Sequence, residues 1–479
     1  MNTGMSVKKK PTRRRKTEMN MTEGPLLGKI VRYSIPLILT GILSLLYNAA
    51  DLIVVGNFAG SEALAAVSST GSLNTLIVNA LMGLSIGSSV IAAQHFGARE
   101  EEDVKRVLHT SVITAFFGGF IIMAVGLLLS RTFLVWMDTD AAVLDNAALY
   151  MKIIFLGAPA NLVYNYCASI LRASGDTKRP LIFLSLSGIV NVLLNLLLVI
   201  VFHMSVAGVA IATIVSQYLS ALLILLFLSR QEGALRFSFQ DLHFDKETFK
   251  RIILVGVPCV VQGSLFSISN VMIQSSINGF GSVVIAGNGA GSNIEGFVYT
   301  SMHAVYQAAL TFTGQNVGAK EPDRVLKTLG ASLLVVVLVW GIVGGAALLF
   351  REPLVSLYVD ADDPNFSAVV ASGVERMGYV CTFYFLCGIM DVLVGCLRGM
   401  GKSLGPAIVS LLGACGLRII WIFTIFRYFF EYRPGEAIGI LYLSYPVSWI
   451  ITGLVQLVMC IFAYRQFRKR VDRMRLEAM

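Results

Sequence analysis

Three carboxylates fall inside long apolar stretches of the chain: Asp51, Glu295 and Asp391. The rest of the 29 acids sit in polar tails, in loops or at the ends of apolar runs. A carboxylate in a spanning helix costs roughly 2.5–3.5 kcal/mol on insertion scales, so it faces a wet cavity or a partner and by default marks an ion or substrate route. Asp51 has neutral company. Helix rise puts it about 9 Å below the far end of its helix, and puts Tyr150, Asn195 and Thr213 about 10–12 Å deep in three other helices. Asn191 and Asn195 share a helix face through their i,i+4 spacing. One anionic and several neutral oxygens at a common level suit a sodium ion or a proton-sharing network. The same groups could instead serve as interhelical hydrogen-bond glue.

Glu295 lies near the middle of its helix, about 20 Å of rise from the outer end, with no opposite charge nearby in sequence. It reads as a cavity-facing proton or cation site, with an ion pair to a distant arginine such as Arg418 as the alternative. Asp391 precedes Arg398 by seven residues on nearly the same helix face, so a structural charge contact competes with a transport role. Other chemistries find less support. The five histidines form no H-E-x-x-H and no i,i+4 metal pair. Residues 83–87 match G-x-S-x-G but fall in a helix-length apolar run and equally satisfy GxxxG, so close helix packing is expected in place of an intramembrane hydrolase. Gly287, Gly289 and Gly291 lack the Lys-Ser/Thr of a phosphate loop, and no soluble segment could house a nucleotide-binding domain. No catalytic residue, firm metal site or cofactor is therefore expected. The seven cysteines lie in apolar stretches without a CxxC pair and read as packing residues.

The elements that must hold these groups are membrane helices. Of 479 residues 56% are hydrophobic and only 14% charged, and the mean hydropathy of +0.73 excludes a soluble globule, disorder, collagen and a coiled coil. Apolar runs between polar breaks predict twelve spans. They fall near residues 32–57, 62–96, 104–130, 142–172, 179–202 and 206–229, then 250–278, 282–316, 325–350, 368–398, 404–430 and 436–464. Of the 38 Lys and Arg residues, 31 sort to one side, while Arg131, Arg351, Arg427 and Arg433 mark the other. By the positive-inside rule both termini are cytoplasmic, and the basic run from Lys8 to Lys16 is an anchoring or disordered tail, not a nucleic-acid site. No cleavable signal peptide is expected, since this tail runs to Arg32 before any long apolar stretch.

The two halves repeat. Ile35, Pro36 and Gly41 echo Val257, Pro258 and Gly263; Gln94, Gly97, Ala98 and Glu100 echo Gln315, Gly318, Ala319 and Glu321. Leu171, Arg172, Gly175 and Pro180 echo Leu397, Arg398, Gly401 and Pro406. Six spans per half is an even number, so both halves enter from the same side about an axis along the membrane normal. The expected organisation is a basic tail (1–31), an N-terminal lobe (32–229), a cytoplasmic linker (230–249), a C-terminal lobe (250–464) and a second basic tail (465–479). Two facing six-helix bundles enclose a midplane cavity that rocking can open to either side, which is transporter architecture.

Over residues 30–465 the sequence resembles the MATE (multidrug and toxic compound extrusion) family. The carriers are "YNAADLIVVGNFAGSEALAAVS" around Asp51, "QHFGA" and "GQNVGA" ending the second and eighth helices, "LRASGDTKRP" with "CLRGMGKSLGP", and "VAGVAIAT" in the sixth. It is similar to the prokaryotic DinF-like branch more than to the NorM-like one, since "SNIEGF" places Glu295 where related bacterial members often carry a glutamate.

The resemblance implies an all-α, twelve-helix 6+6 fold in the cytoplasmic membrane of a prokaryote, working as a monomer. It implies antiport, in which entering H+ or Na+ drives small amphipathic, often cationic compounds outward. Asp51 then matches the family's coupling carboxylate, with Tyr150, Asn191, Asn195 and Thr213 around it. Two departures stand out: Asn195 replaces the second acid that many members carry, and Gln262 stands where NorM-like members have an acid in the seventh helix. Glu295, Asp391 and Gln262 would then form the C-lobe substrate or proton site. A lipid-linked saccharide or lipid flippase of the same superfamily is the alternative, disfavoured because only Arg418 among the arginines reads as clearly deep.

Overall fold

The computed structural model describes residues 19–137 and 139–477. The basic run Lys8–Lys16 lies outside the described residues, as do the last two residues of the second tail. Among the described residues every regular element is helical. Eight helices are long and apolar enough to cross a membrane unaided: Leu26–Ala59, Glu101–Trp136, Lys178–Val201, Ser205–Ser229, Lys246–Asn278, Pro322–Leu349, Leu404–Tyr432 and Pro434–Glu477. Two more crossings are bent pairs, Ala141–Leu156 with Ala158–Ala173 and Phe366–Val380 with Tyr384–Gly399, each turned by 47°. Pro159, in the first turn after Gly157, accounts for the first bend; the second bends without a proline.

The remaining crossings are Gly71–Ala98 and Ser282–Gly318. Their glycines, serines and asparagines dilute the apolar average that a lipid-facing helix shows. They are second and eighth in chain order, equivalent places in the two halves, and from Val305 to Asn316 all but Gln307 of the eighth span is buried. The chain is thus an all-α polytopic membrane protein of twelve spans in two pseudo-symmetric six-helix bundles.

Differences from expectation lie at the edges. The first helix starts at Leu26, and the segment before it is packed: Met21 is buried and its carbonyl accepts from Asn316 (3.3 Å) and Arg324 (3.1 Å). The last helix does not stop near 464 but continues to Glu477, because buried Val471, an Arg468–Asp323 pair at 3.9 Å and an Arg475 bond to the Lys320 carbonyl at 3.2 Å tie it down. Ser61–Ser69 forms its own short helix before the second span. At the seventh span, Asp245 is the N-cap. The hydroxyl and backbone amide of Thr248 donate to it at 2.5 and 3.0 Å and hold its carboxyl below the usual carboxylate range.

The lobes meet through glycines. A Cβ at Gly97 would lie 1.8 Å from the Gln315 carbonyl oxygen, and one at Gly318 would lie 1.8 Å from that of Gln94, so the ends of the second and eighth spans cross backbone to backbone. Gly83 and Gly87 also pack against backbone of the seventh span, where a Cβ would lie 2.8 Å from the Val260 nitrogen and 2.2 Å from the Ile252 carbonyl oxygen. The G-x-S-x-G run is therefore a packing surface, and its Ser85 hydroxyl donates to the Met82 carbonyl at 2.8 Å.

Two equivalent bonds flank the crossing. Gln94 Nε2 donates to the Gly399 carbonyl (3.0 Å) and Gln315 Nε2 to that of Ala173 (2.7 Å), each reaching into the opposite bundle. With Tyr33–Thr311 (3.1 Å) and Arg251–His95 (3.2 Å), the hydrogen bonds between the lobes cluster at the face that carries both chain ends.

Gly97→Val should lower stability by about 1–3 kcal/mol, the usual cost of overpacking, whereas Gly289→Ala, with open space around its Cβ position, should change little. Thermal unfolding of both variants in one detergent checks this; equal midpoints would contradict the close crossing.

Candidate functional site

The N-lobe cluster assembles as its spacing suggests. Asp51 accepts a hydrogen bond from Asn195 Nδ2, and that amide nitrogen also lies 3.4 Å from Asn191 Oδ1. Asn191 Nδ2 reaches Thr213 Oγ1 at 3.5 Å, while that hydroxyl gives its own proton to the Val209 carbonyl at 2.9 Å. Thr213 therefore turns lone pairs toward the asparagines. Tyr150 is buried alongside, within electrostatic range of Asp51. The backbone widens into a π-helical turn just beyond both Asp51 (Val55–Ala59) and Asn195 (Leu197–Val201). Such turns recur at functional sites because they re-aim neighbouring side chains.

Two facts define what this cluster can do. Asp51 forms no ion pair among the described residues, so its negative charge is balanced by neutral dipoles alone. Asn195 Oδ1 is buried without a hydrogen-bond donor. An unfilled acceptor beside an unpaired carboxylate is an arrangement that a monovalent cation or a proton would complete.

The C-lobe acids are placed differently. Glu295 is not open to a cavity as a free charge: Arg376 donates to its two oxygens from Nε (3.0 Å) and NH2 (2.7 Å), and both side chains are buried. The partner is thus Arg376 of the tenth span, not Arg418, and Arg376 NH1 also donates to Asn288 Oδ1 at 2.6 Å. Residues 81 apart in sequence meet here because the eighth and tenth spans pack side by side. Asp391 does not bond Arg398. Arg398 turns to Tyr306 Oη (2.5 Å) and Gln262 Oε1 (2.7 Å), and Asp391 lies 3.9 Å from His303 Nδ1.

Arg418 donates to Ser448 Oγ at 2.9 Å and lies 4.3 Å over the Tyr445 ring. Three arginines are therefore buried in this lobe where one was expected. Only Arg376 has a carboxylate partner; the other two are held by hydroxyls, an amide and aromatic faces. The signal missed in the sequence was Arg376 itself, a cation inside a span. Outside this core, His95, Glu100 and Asp103 place ligand atoms within 4.8 Å of one another. They are already engaged, with His95 Nδ1 2.6 Å from Glu100, and Asp103 accepting from Arg106 at 3.0 Å.

The chain matches the family model MatE over residues 36–197 and 258–424. It is 25% identical over 453 residues to the "probable multidrug resistance protein YoeA" of Bacillus subtilis, covering 92% of this chain and 94% of that one. It is also 25% identical to the "probable multidrug resistance protein NorM" of Thermotoga maritima, covering 86% and 88%. Among solved structures, a multidrug resistance MATE family transporter in an outward-facing conformation superposes with a TM-score of 0.85 at 20% identity, over 94% of this chain and 98% of that one.

Removing one partner of a buried ion pair strands the other's charge. Arg376→Ala should lower stability by about 3–5 kcal/mol, and adding Glu295→Gln should recover most of the loss. Denaturation of the single and double variants checks this coupling; additive losses would show that the pair is not the stabilising unit.

Proposed function

The chain belongs to the MatE family, and from that membership we propose that it is a secondary antiporter, exporting small amphipathic, often cationic compounds in exchange for H+ or Na+. The observation that carries the proposal is the unpaired Asp51 carboxylate beside the unfilled Asn195 Oδ1. Asp51 binds the coupling cation, with Asn191, Asn195 and Thr213 supplying neutral oxygens and Tyr150 closing the cluster. The basic bias makes the face carrying the chain ends cytoplasmic, and the membrane is the cytoplasmic one of a prokaryote. The lobes 32–229 and 250–464 rock about the crossing of the second and eighth spans, with 230–249 as their cytoplasmic connector and a single copy as the working unit.

Coupling requires only that the cation bind one of the two states better, because equal affinity for both shifts nothing. Neutralising Asp51 removes an uncompensated charge from the N-lobe and favours closure of the outer side. In the C-lobe, Asp391 facing His303 and Gln262 holding Arg398 border the cargo surface, and Glu295, buried against Arg376, acts on it from behind by fixing the eighth span to the tenth. The multidrug resistance names of the relatives in Bacillus subtilis and Thermotoga maritima support an efflux role.

In proteoliposomes, Asp51→Asn should cut gradient-driven drug efflux by at least about tenfold, the size expected when a group essential to one state is lost, while equilibrium drug binding persists. Undiminished antiport by this variant would refute the role. Running the parent protein with an imposed Na+ gradient and then a pH gradient identifies the coupling ion by which of them drives uptake.

A further inference from the structure

Beside the lobe crossing, a cavity of about 660 Å³ opens on the face that carries the chain ends. Arg251, Lys320, Lys402 and Arg470 line it, and none of its lining residues is acidic. These cations come from four separate segments: the start of the seventh span, the end of the eighth, the loop after the tenth and the extended last helix. Lys320, Lys402 and Arg470 have no carboxylate within ion-pair distance among the described residues, and Arg251 NH1 lies 3.2 Å from His95 Nε2, whose Nδ1 meets Glu100 at 2.6 Å. Four like charges around one hollow repel one another unless an anion completes them.

Lys320 strengthens the case. Its backbone sits in the left-handed region, at φ 57°, where glycine is the unstrained choice. The equivalent Arg99, at φ 61°, uses its side chain to reach Glu23 at 3.2 Å; Lys320 has no such acid and lines the cavity instead.

Apart from Gln94, Gln466 and two glycines, the rest of the lining is apolar. Leu254, Met400 and Phe467 contribute, and Leu254 is 63% exposed. Val257 and Val261 continue from Leu254 down one face of the seventh span, both also exposed, making an apolar lane that leads from the basic hollow along the helix into the bilayer. A basic pocket between helix ends joined to such a lane has the two-part chemistry of a phospholipid.

We propose that this cavity binds the phosphate headgroup of an anionic phospholipid, with one acyl chain lying along Leu254, Val257 and Val261. Ile91 and Gln94 of the N-lobe share the wall with C-lobe residues, and Gln94 is the residue bonded to Gly399. A bound lipid therefore spans both lobes and holds this face shut. The proposal does not depend on which ion Asp51 binds.

The test is native mass spectrometry of the full chain with phosphatidylglycerol, phosphatidylcholine and inorganic phosphate as probes. The parent should retain phosphatidylglycerol over phosphatidylcholine. Each basic side chain near an anionic lipid contributes about fivefold in affinity. Lys402→Gln should therefore weaken retention about fivefold and Lys320→Gln/Lys402→Gln/Arg470→Gln about a hundredfold. Arg230→Gln/Arg236→Gln/Lys246→Gln, with three charges removed from the linker outside the cavity, should retain the lipid like the parent. Equal retention of the two lipids, or phosphatidylglycerol binding unchanged in Lys402→Gln and the triple cavity variant, overturns the site. Displacement of phosphatidylglycerol by inorganic phosphate at equal concentration overturns the lipid assignment in favour of a free anion.

Discussion

A charge inside hydrocarbon must be balanced locally, and the two lobes meet that demand in opposite ways. In the C-lobe Glu295 and Arg376 form two hydrogen bonds with each other and leave no net charge behind. In the N-lobe Asp51 is met by the amide of Asn195 and by no cation. A paired charge is settled, and opening it costs desolvation of both ions. An unpaired one keeps a standing preference for a proton or a metal ion, which is the property a gradient can act on. The pseudo-equivalent bundles thus differ: the C-lobe pairs Glu295 with Arg376 while Arg398 and Arg418 rest on neutral groups, and the N-lobe leaves Asp51 without a cation among the described residues.

The shared architecture supplies what both halves need. Gly97 and Gly318 let two helix ends touch backbone to backbone, and Gln94 and Gln315 each donate to a carbonyl of the opposite lobe. These bonds are made to backbone oxygens at helix ends, where carbonyls lack intrahelical donors. Water can satisfy the same groups wherever they become exposed, so each such bond carries only a modest net stabilisation. The position of these bonds at one face, with the Asp51 cluster in the other half of the first span, sets the hydrogen-bonded lobe contact and the buried carboxylate at opposite ends of the molecule.

Much of this was readable in the sequence, for physical reasons that also explain what was not. Span positions follow from hydrocarbon thickness, and the 6+6 repeat from motifs that recur at nearly constant spacing. The common level of Asp51, Asn195 and Thr213 was legible because helix rise converts residue counts into height, while their grouping around Asp51 came from the family resemblance. The Glu295–Arg376 pair was not legible, since depth gives no information about which helices are neighbours in the plane of the membrane. Asp391 and Arg398 share a helix, but a guanidinium on a long stem can turn away from a residue two turns below, and here Tyr306 and Gln262 capture it. The last helix was drawn too short because hydropathy marks where lipid ends, whereas Val471 and the Arg468–Asp323 contact extend the helix beyond that boundary.

The presence of Asn195 in place of an acid has a consequence for charge. A cluster with two carboxylates would start at two negative charges and could take two protons, or one sodium ion with a negative charge left over. With Asp51 alone, one proton or one sodium ion brings the cluster to neutrality, so both satisfy the same electrostatic demand. They differ in what they ask of the neutral oxygens: a proton needs one acceptor, whereas sodium needs several converging at once. Asn195 Oδ1, buried and without a donor, is a group that either a bound metal ion or the O–H of a protonated Asp51 could satisfy. If the proposed antiport holds, exchange through such a site would move a single positive charge inward per cycle, and a singly charged cargo leaving in return would make that cycle electroneutral.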